Sequence, residues 1–96
     1  MIGVIATLRV KRGQGEEFEA VFSELASQVR ANEEGNLAYQ LCRSREDAQT
    51  YKVLEIYRDD AALDSHRASA HFRAAGPALG ALLDGRPEIE LLDAVG

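Results

Sequence analysis

The sequence predicts an α+β fold, and three features of its 96 residues carry that prediction. Apolar residues alternate with a period of two in "MIGVIATLRV" and again around "TYKVLEIYR", the spacing of half-buried strands. Between these stretches Phe18, Val21, Phe22, Leu25 and Val29 recur at helical spacing, the mark of an amphipathic helix. Short polar stretches with Gly, Asn and Asp separate the segments, with no linker, repeat or low-complexity run. A chain of this length has room for one hydrophobic core, so residues 1–96 are expected to form a single domain.

The elements follow in order. In the first strand Ile2, Val4, Ala6, Leu8 and Val10 share one face, while Gly3, Ile5, Thr7 and Arg9 share the other. "KRGQGEE" is a turn, and the helix after it opens on Glu16, Glu17 and Glu19, which suit the positive end of the helix dipole. Gly35 in "ANEEGN" is expected to cap that helix at its C-terminus. "LAYQLCRS" and "TYKVLEIYR" read as an antiparallel hairpin around "REDAQ". Asp59 or Asp60 can cap a second helical region that runs through "ASAHFRAAGPALGALLD", with a break expected near Gly76-Pro77. "EIELLDAV" is the last strand.

The order β-α-β-β-α-β predicts a four-stranded antiparallel sheet with its helices on one face, the ferredoxin-like arrangement. The third strand is apolar on both faces, since Leu54 and Ile56 alternate with Val53 and Tyr57. A sheet of that kind needs a second cover, and a second copy of the chain packed sheet to sheet is the simplest one. A homodimer is therefore expected.

Composition excludes several classes of function. With 16 acidic against 11 basic residues the net charge is -5, which repels nucleic acid and anionic membranes. No run approaches the roughly 20 apolar residues that span a bilayer. The N-terminus lacks the positive start of a signal peptide, so a cytoplasmic location is expected. Cys42 is the one cysteine, which rules out an intrachain disulfide and a cysteine-based zinc site; in "LAYQLCR" it reads as a small buried hydrophobe. Neither a phosphate-binding glycine loop nor a serine nucleophile elbow is present.

Three blocks, "ATLRVKRGQGEEFEAVF", "EEGNLAYQL" and "YKVLEIYRDDAALDSHRASAHF", together resemble the antibiotic biosynthesis monooxygenase (ABM) family. The resemblance covers nearly the whole chain in order and spacing. It implies the dimeric α+β barrel fold and a pocket between sheet and helices. In the oxygenase members that pocket takes a flat aromatic polyol or quinol and oxidises it with O2, without metal or flavin. An electron-rich phenolate can itself reduce oxygen, so the protein need only bind it, remove a proton and shield the anion from water. No cofactor is expected. Heme-degrading members use an Asn on the first strand, a Trp on the second helix and a His beyond it. Alignment on "KRG" and "HFRAAG" places Ala6, His66 and Gly76 there, which argues against heme degradation.

The reactive groups are few. Glu55 shares a strand face with Val53 and Tyr57, and if that face meets the helices, His66 comes within its reach. Glu55 would then hold the imidazole of His66 as an orienting acid, with His66 as the base; equally, the pair could only pin helix to sheet. Tyr39 and Tyr57 offer phenols that can donate to a quinol oxygen, or serve as core rings. Asn36 and His71 are expected at the pocket, although Asn36 also suits a turn and His71 a surface position. A metal site is not expected: His66 and His71, five residues apart, diverge by roughly 140° on a continuous helix. Two other functions fit the same residues, a proton-shuttling isomerase of a small carbonyl compound and a non-catalytic binder of a small aromatic.

Overall fold

The computed structural model describes residues 1–96. Strand β1 (Ile2–Arg9) leads to helix α1 (Gly15–Asn32), then to strands β2 (Asn36–Arg43) and β3 (Thr50–Tyr57). Helices α2 (Asp60–Ala68) and α3 (Ala70–Leu82) follow, and β4 (Glu88–Asp93) ends the fold. The sheet order is β2-β3-β1-β4 with every neighbour antiparallel, the ferredoxin-like α+β arrangement.

One face of the sheet meets the helices. Val4, Ala6 and Leu8 of β1, Val10 just past its end, and Tyr51, Val53, Glu55 and Tyr57 of β3 are all buried, so the period of two in the sequence marks the core. From α1, Phe18, Phe22, Leu25, Ala26 and Val29 meet them along the helical stripe. Register fixes what surrounds Glu55: Val4 lies beside it on β1 and Tyr39 on β2.

Part of the outer face is apolar and uncovered in the single chain, beside the charged Arg9, Lys52, Glu88 and Glu90. Leu54 and Leu92 are exposed there, with half-buried Ile5 and Ile56 between them. Cys42 also faces outward and is exposed, because Tyr39 and Leu41 take the inner positions of β2 and alternation turns Cys42 away. The buried position expected for it is not the one it has.

Two further expectations are corrected. Gly35 is not a left-handed cap; Glu33 ends α1, its N–H donating to the Val29 carbonyl, and the positive-φ glycines are Gly13 and Gly85. Gly35 is needed instead for close approach, since a Cβ there would stand 2.5 Å from the Cβ of Ala62 on α2. The helical break falls at Ser69 and not at Gly76-Pro77, which α3 carries within it. Ser69 serves both helices: its hydroxyl donates to the His66 carbonyl at 2.7 Å and accepts from the Phe72 N–H at 3.3 Å. Asp59 caps α2 as expected, accepting from the Ala62 N–H at 2.8 Å.

Candidate active site

A cavity of about 550 Å³ lies between the sheet and the helices. Leu8, Phe22, Val53 and Leu79 supply apolar walls, while Tyr39, Glu55 and His66 supply polar groups, with Arg67 and Arg86 at exposed positions. Gly76 and Gly80 of α3 form part of the same lining. The cavity reaches Ile89 of β4, whose inner face the helices leave exposed.

His66 is held on all sides. Its ring centroid lies 5.4 Å from Tyr39, 5.4 Å from Tyr57 and 4.6 Å from Phe72. Its Nδ1 meets both carboxylate oxygens of Glu33, at 2.9 and 3.0 Å. Donation from Nδ1 to the carboxylate places the ring proton there and leaves Nε2 as the acceptor. Nothing in the chain hydrogen-bonds Nε2, yet no buried polar side-chain atom lacks a partner, so Nε2 is open to the cavity that His66 lines. The Tyr39 hydroxyl is in the same position: it has no side-chain partner and opens on the same space. Burial lowers the proton affinity of His66, with the Glu33 hydrogen bond and charge acting the other way.

Glu33, and not Glu55, is thus the carboxylate that orients His66. Glu55 points elsewhere on the same face, accepting from the Tyr57 hydroxyl at 2.7 Å. Burial pushes its carboxyl up to about 6, against the lowering effect of that hydrogen bond, and the charge of Glu33 adds to the rise. Burial also raises both phenols, Tyr57 with the help of its bond to Glu55. Because the folded state holds the Glu55 proton to higher pH than the unfolded chain, its ionisation costs stability. No cost exists below about 4.5, and it grows as pH rises through about 6, reaching about 2 kcal/mol at neutrality. Glu55→Gln, which keeps an acceptor for Tyr57, should raise stability by about 1–2 kcal/mol at pH 7.5 and remove the slope between pH 4.5 and 6. Urea midpoints at pH 4.5 and 7.5 check this; an unchanged slope would mean that Glu55 is not the titrating group.

Of the other expected residues, Tyr57 is fully buried and does not line the cavity, which it meets only through Glu55 and the ring of His66. Asn36 lies outside the cavity, its amide donating to the Ala38 carbonyl at 3.0 Å where β2 is bulged. His71 opens on a separate groove with Val21, Glu24, Gln28 and Asn32. It is nonetheless joined to His66, since its Nε2 meets Glu33 Oε2 at 2.5 Å. The break at Ser69 turns the two rings toward one carboxylate, so the divergence expected of a continuous helix does not apply.

Glu33, His66 and His71 have donor atoms within 4.8 Å of one another, the one such group in the chain. The atoms face each other at hydrogen-bond distance, closer than the ligands of an ion with bonds of about 2 Å usually sit. We assign no metal there. Glu33 was hidden in the sequence, where "ANEEGN" reads as a polar turn; nothing in its spacing separates Glu33 from Glu34.

Comparison with known proteins agrees with this architecture. The family model described as antibiotic biosynthesis monooxygenase matches residues 1–78. The chain is 37% identical over 73 residues to "Putative monooxygenase YcnE" of Bacillus subtilis, covering 76% of each. A crystal structure titled as a putative antibiotic biosynthesis monooxygenase from Caulobacter crescentus superposes with a TM-score of 0.96 at 50% identity, covering 99% of this chain and 90% of that one. PA3566 from Pseudomonas aeruginosa superposes with a TM-score of 0.87 at 32% identity, covering 99% and 94%. The chain belongs to the antibiotic biosynthesis monooxygenase family.

Proposed function

We propose that this protein is a monooxygenase that oxidises a quinol or polyphenol with O2, using His66 as its base and no prosthetic group. Family membership supports a monooxygenase-like role. The observation that carries the finer reading is the pairing of two open polar atoms, His66 Nε2 and the Tyr39 hydroxyl, in an otherwise largely apolar cavity. An apolar slot accepts a flat ring, and the two polar atoms suit its oxygens. Nε2 takes a phenolic proton, and Tyr39 donates to the oxygen on which charge collects. The resulting phenolate gives electrons to O2. A quinol plus O2 then yields a hydroxyquinone plus water: one oxygen atom enters the ring, the other leaves as water, and the ring supplies the electrons.

Oxygen uptake by the purified protein with a panel of hydroquinones tests this. Uptake above the autoxidation blank, saturating with substrate, is expected; none with any electron-rich phenol removes the reading. One observation favours a second reading. Glu55 and His66 line the same cavity, and burial there raises the carboxyl toward a proton-holding acid and lowers the imidazole toward a neutral base, a pair that an isomerase can use. Turnover of a small hydroxycarbonyl compound without oxygen consumption would select it.

The apolar patch of the outer face, Ile5, Leu54, Ile56 and Leu92, supports a homodimer packed sheet to sheet. Light scattering should give twice the single-chain mass of 10.5 kDa, and Leu54→Lys should shift it toward one chain. A wild-type mass of one chain at micromolar concentration would remove the pair. No helix is long and apolar enough to cross a membrane.

A further inference from the structure

Glu33 lies in neither of the two depressions that the helix layer separates. His66 lines the cavity and His71 lines the groove on α1 and α3, yet both rings meet the one carboxylate. The Glu33 side chain is only 8% exposed, and a carboxylate so placed needs a compensating cation. Three elements converge to supply it: the end of α1, the last turn of α2 and the first turn of α3. The chain therefore holds a continuous hydrogen-bonded path from the cavity to the opposite side of the helices.

We propose that Glu33, His66 and His71 form a single proton-holding unit in which His71 is the port to solvent. At rest the compensating proton sits on His71, facing Glu33. When His66 Nε2 takes a proton from the cavity, two imidazolium rings would share one carboxylate. His71 then gives its Nδ1 proton to water in the groove, and its Nε2–H remains on Glu33. One proton enters at His66 and one leaves at His71, so the charge of the unit is unchanged. A phenol bound in the cavity is thereby kept as its anion opposite a cationic His66 that holds its proton, while the proton released to bulk water is the one that His71 carried. His71 acts through His66 and is a positioning residue. The inference rests on His66 as the base in the reading above.

The groups facing the unit are few. Glu55 and Tyr57 on β3, Tyr39 on β2 and Arg67 on α2 lie on the cavity side, and Glu24 of α1 lies in the groove. A sheet-to-sheet dimer leaves the groove open, because the helices lie on the other face.

The two histidines are the only ones in the chain, which makes the test direct. Long-range ¹H–¹⁵N spectra of the labelled wild type follow both imidazoles between pH 4.5 and 9. Each ring should show two inflections, because each reports the protonation of the other. In His71→Gln, whose amide can still donate to Glu33, His66 should bind its proton about tenfold more tightly than in the wild type. In His66→Gln, His71 should keep its wild-type proton affinity, because in the wild type it takes its proton while His66 is still neutral. A residue that only props up the fold has no reason to move the other ring in one variant and leave it unmoved in the converse one. Independent single-inflection curves in the wild type overturn the proposal, as does an unchanged His66 in His71→Gln. None of these readings requires substrate, so oxygenase activity can fail while the proton unit stands, and the reverse.

Discussion

His66→Gln is expected to lower the rate of oxygen uptake by about 10²–10⁴-fold, the usual contribution of a positioned base. Gln keeps a polar group of similar reach and removes the ability to take a proton. The ring is buried among Tyr39, Tyr57 and Phe72, so the variant also tests whether packing alone sustains the cavity. Its fold can be checked by near-UV circular dichroism before kinetics are compared. If the folded variant keeps wild-type kcat, the base lies elsewhere, and Glu55 is the remaining cavity group able to take a proton. The pH profile adds a second check. Loss of the His66 base should remove the rise in rate as pH climbs through the histidine range and leave any dependence due to Glu55.

Phe18→Ala carries the largest expected cost to stability, about 3–5 kcal/mol. Phe18 is completely buried on α1, its ring centroid 6.0 Å from Phe22 and 4.9 Å from Tyr51. It is absent from the cavity lining, so the loss is one of packing and not of substrate contact. For a domain of this size such a loss lowers the melting temperature by tens of degrees. Urea unfolding checks it through the shift in midpoint at constant slope. A loss under about 1 kcal/mol would mean that the helix settles onto β3 and closes the gap.

Elements with strong periodicity were legible in the sequence. The alternation in β1 and β3 and the stripe on α1 predict most of the buried face, because a half-buried strand or helix leaves its period in the sequence. Val21 and Ile2 are only half-buried, and buried Ala26 was not in the stripe. Glu55 as a cavity residue was legible for the same reason, on a strand face that the period turns inward, whereas His66 was placed there only by the expected contact of that face with the second helix. The partner of His66 was not legible. Glu33 is 33 positions away, and the contact exists only because α1 ends beside α2 in three dimensions. Nor was the break at Ser69, where one hydroxyl serves two helices and outweighs the disfavoured Gly76-Pro77 pair. Cys42 shows the limit of local apolarity as evidence: "LAYQLCR" is apolar in bulk, but the strand shows its two faces to different surroundings.

The break at Ser69 also divides the labour of the cavity between two helices. The base belongs to α2, while Gly76, Leu79 and Gly80 of α3, with Leu83 just past its end, line the space beside it. A Cβ added at Gly76 or Gly80 meets nothing within 4 Å. Larger side chains can therefore be introduced on α3 to trim the space for a ring without disturbing the hydrogen bond that orients His66. Substrate size and proton chemistry become separately adjustable, so relatives with this arrangement can diverge in what they accept while keeping the same base.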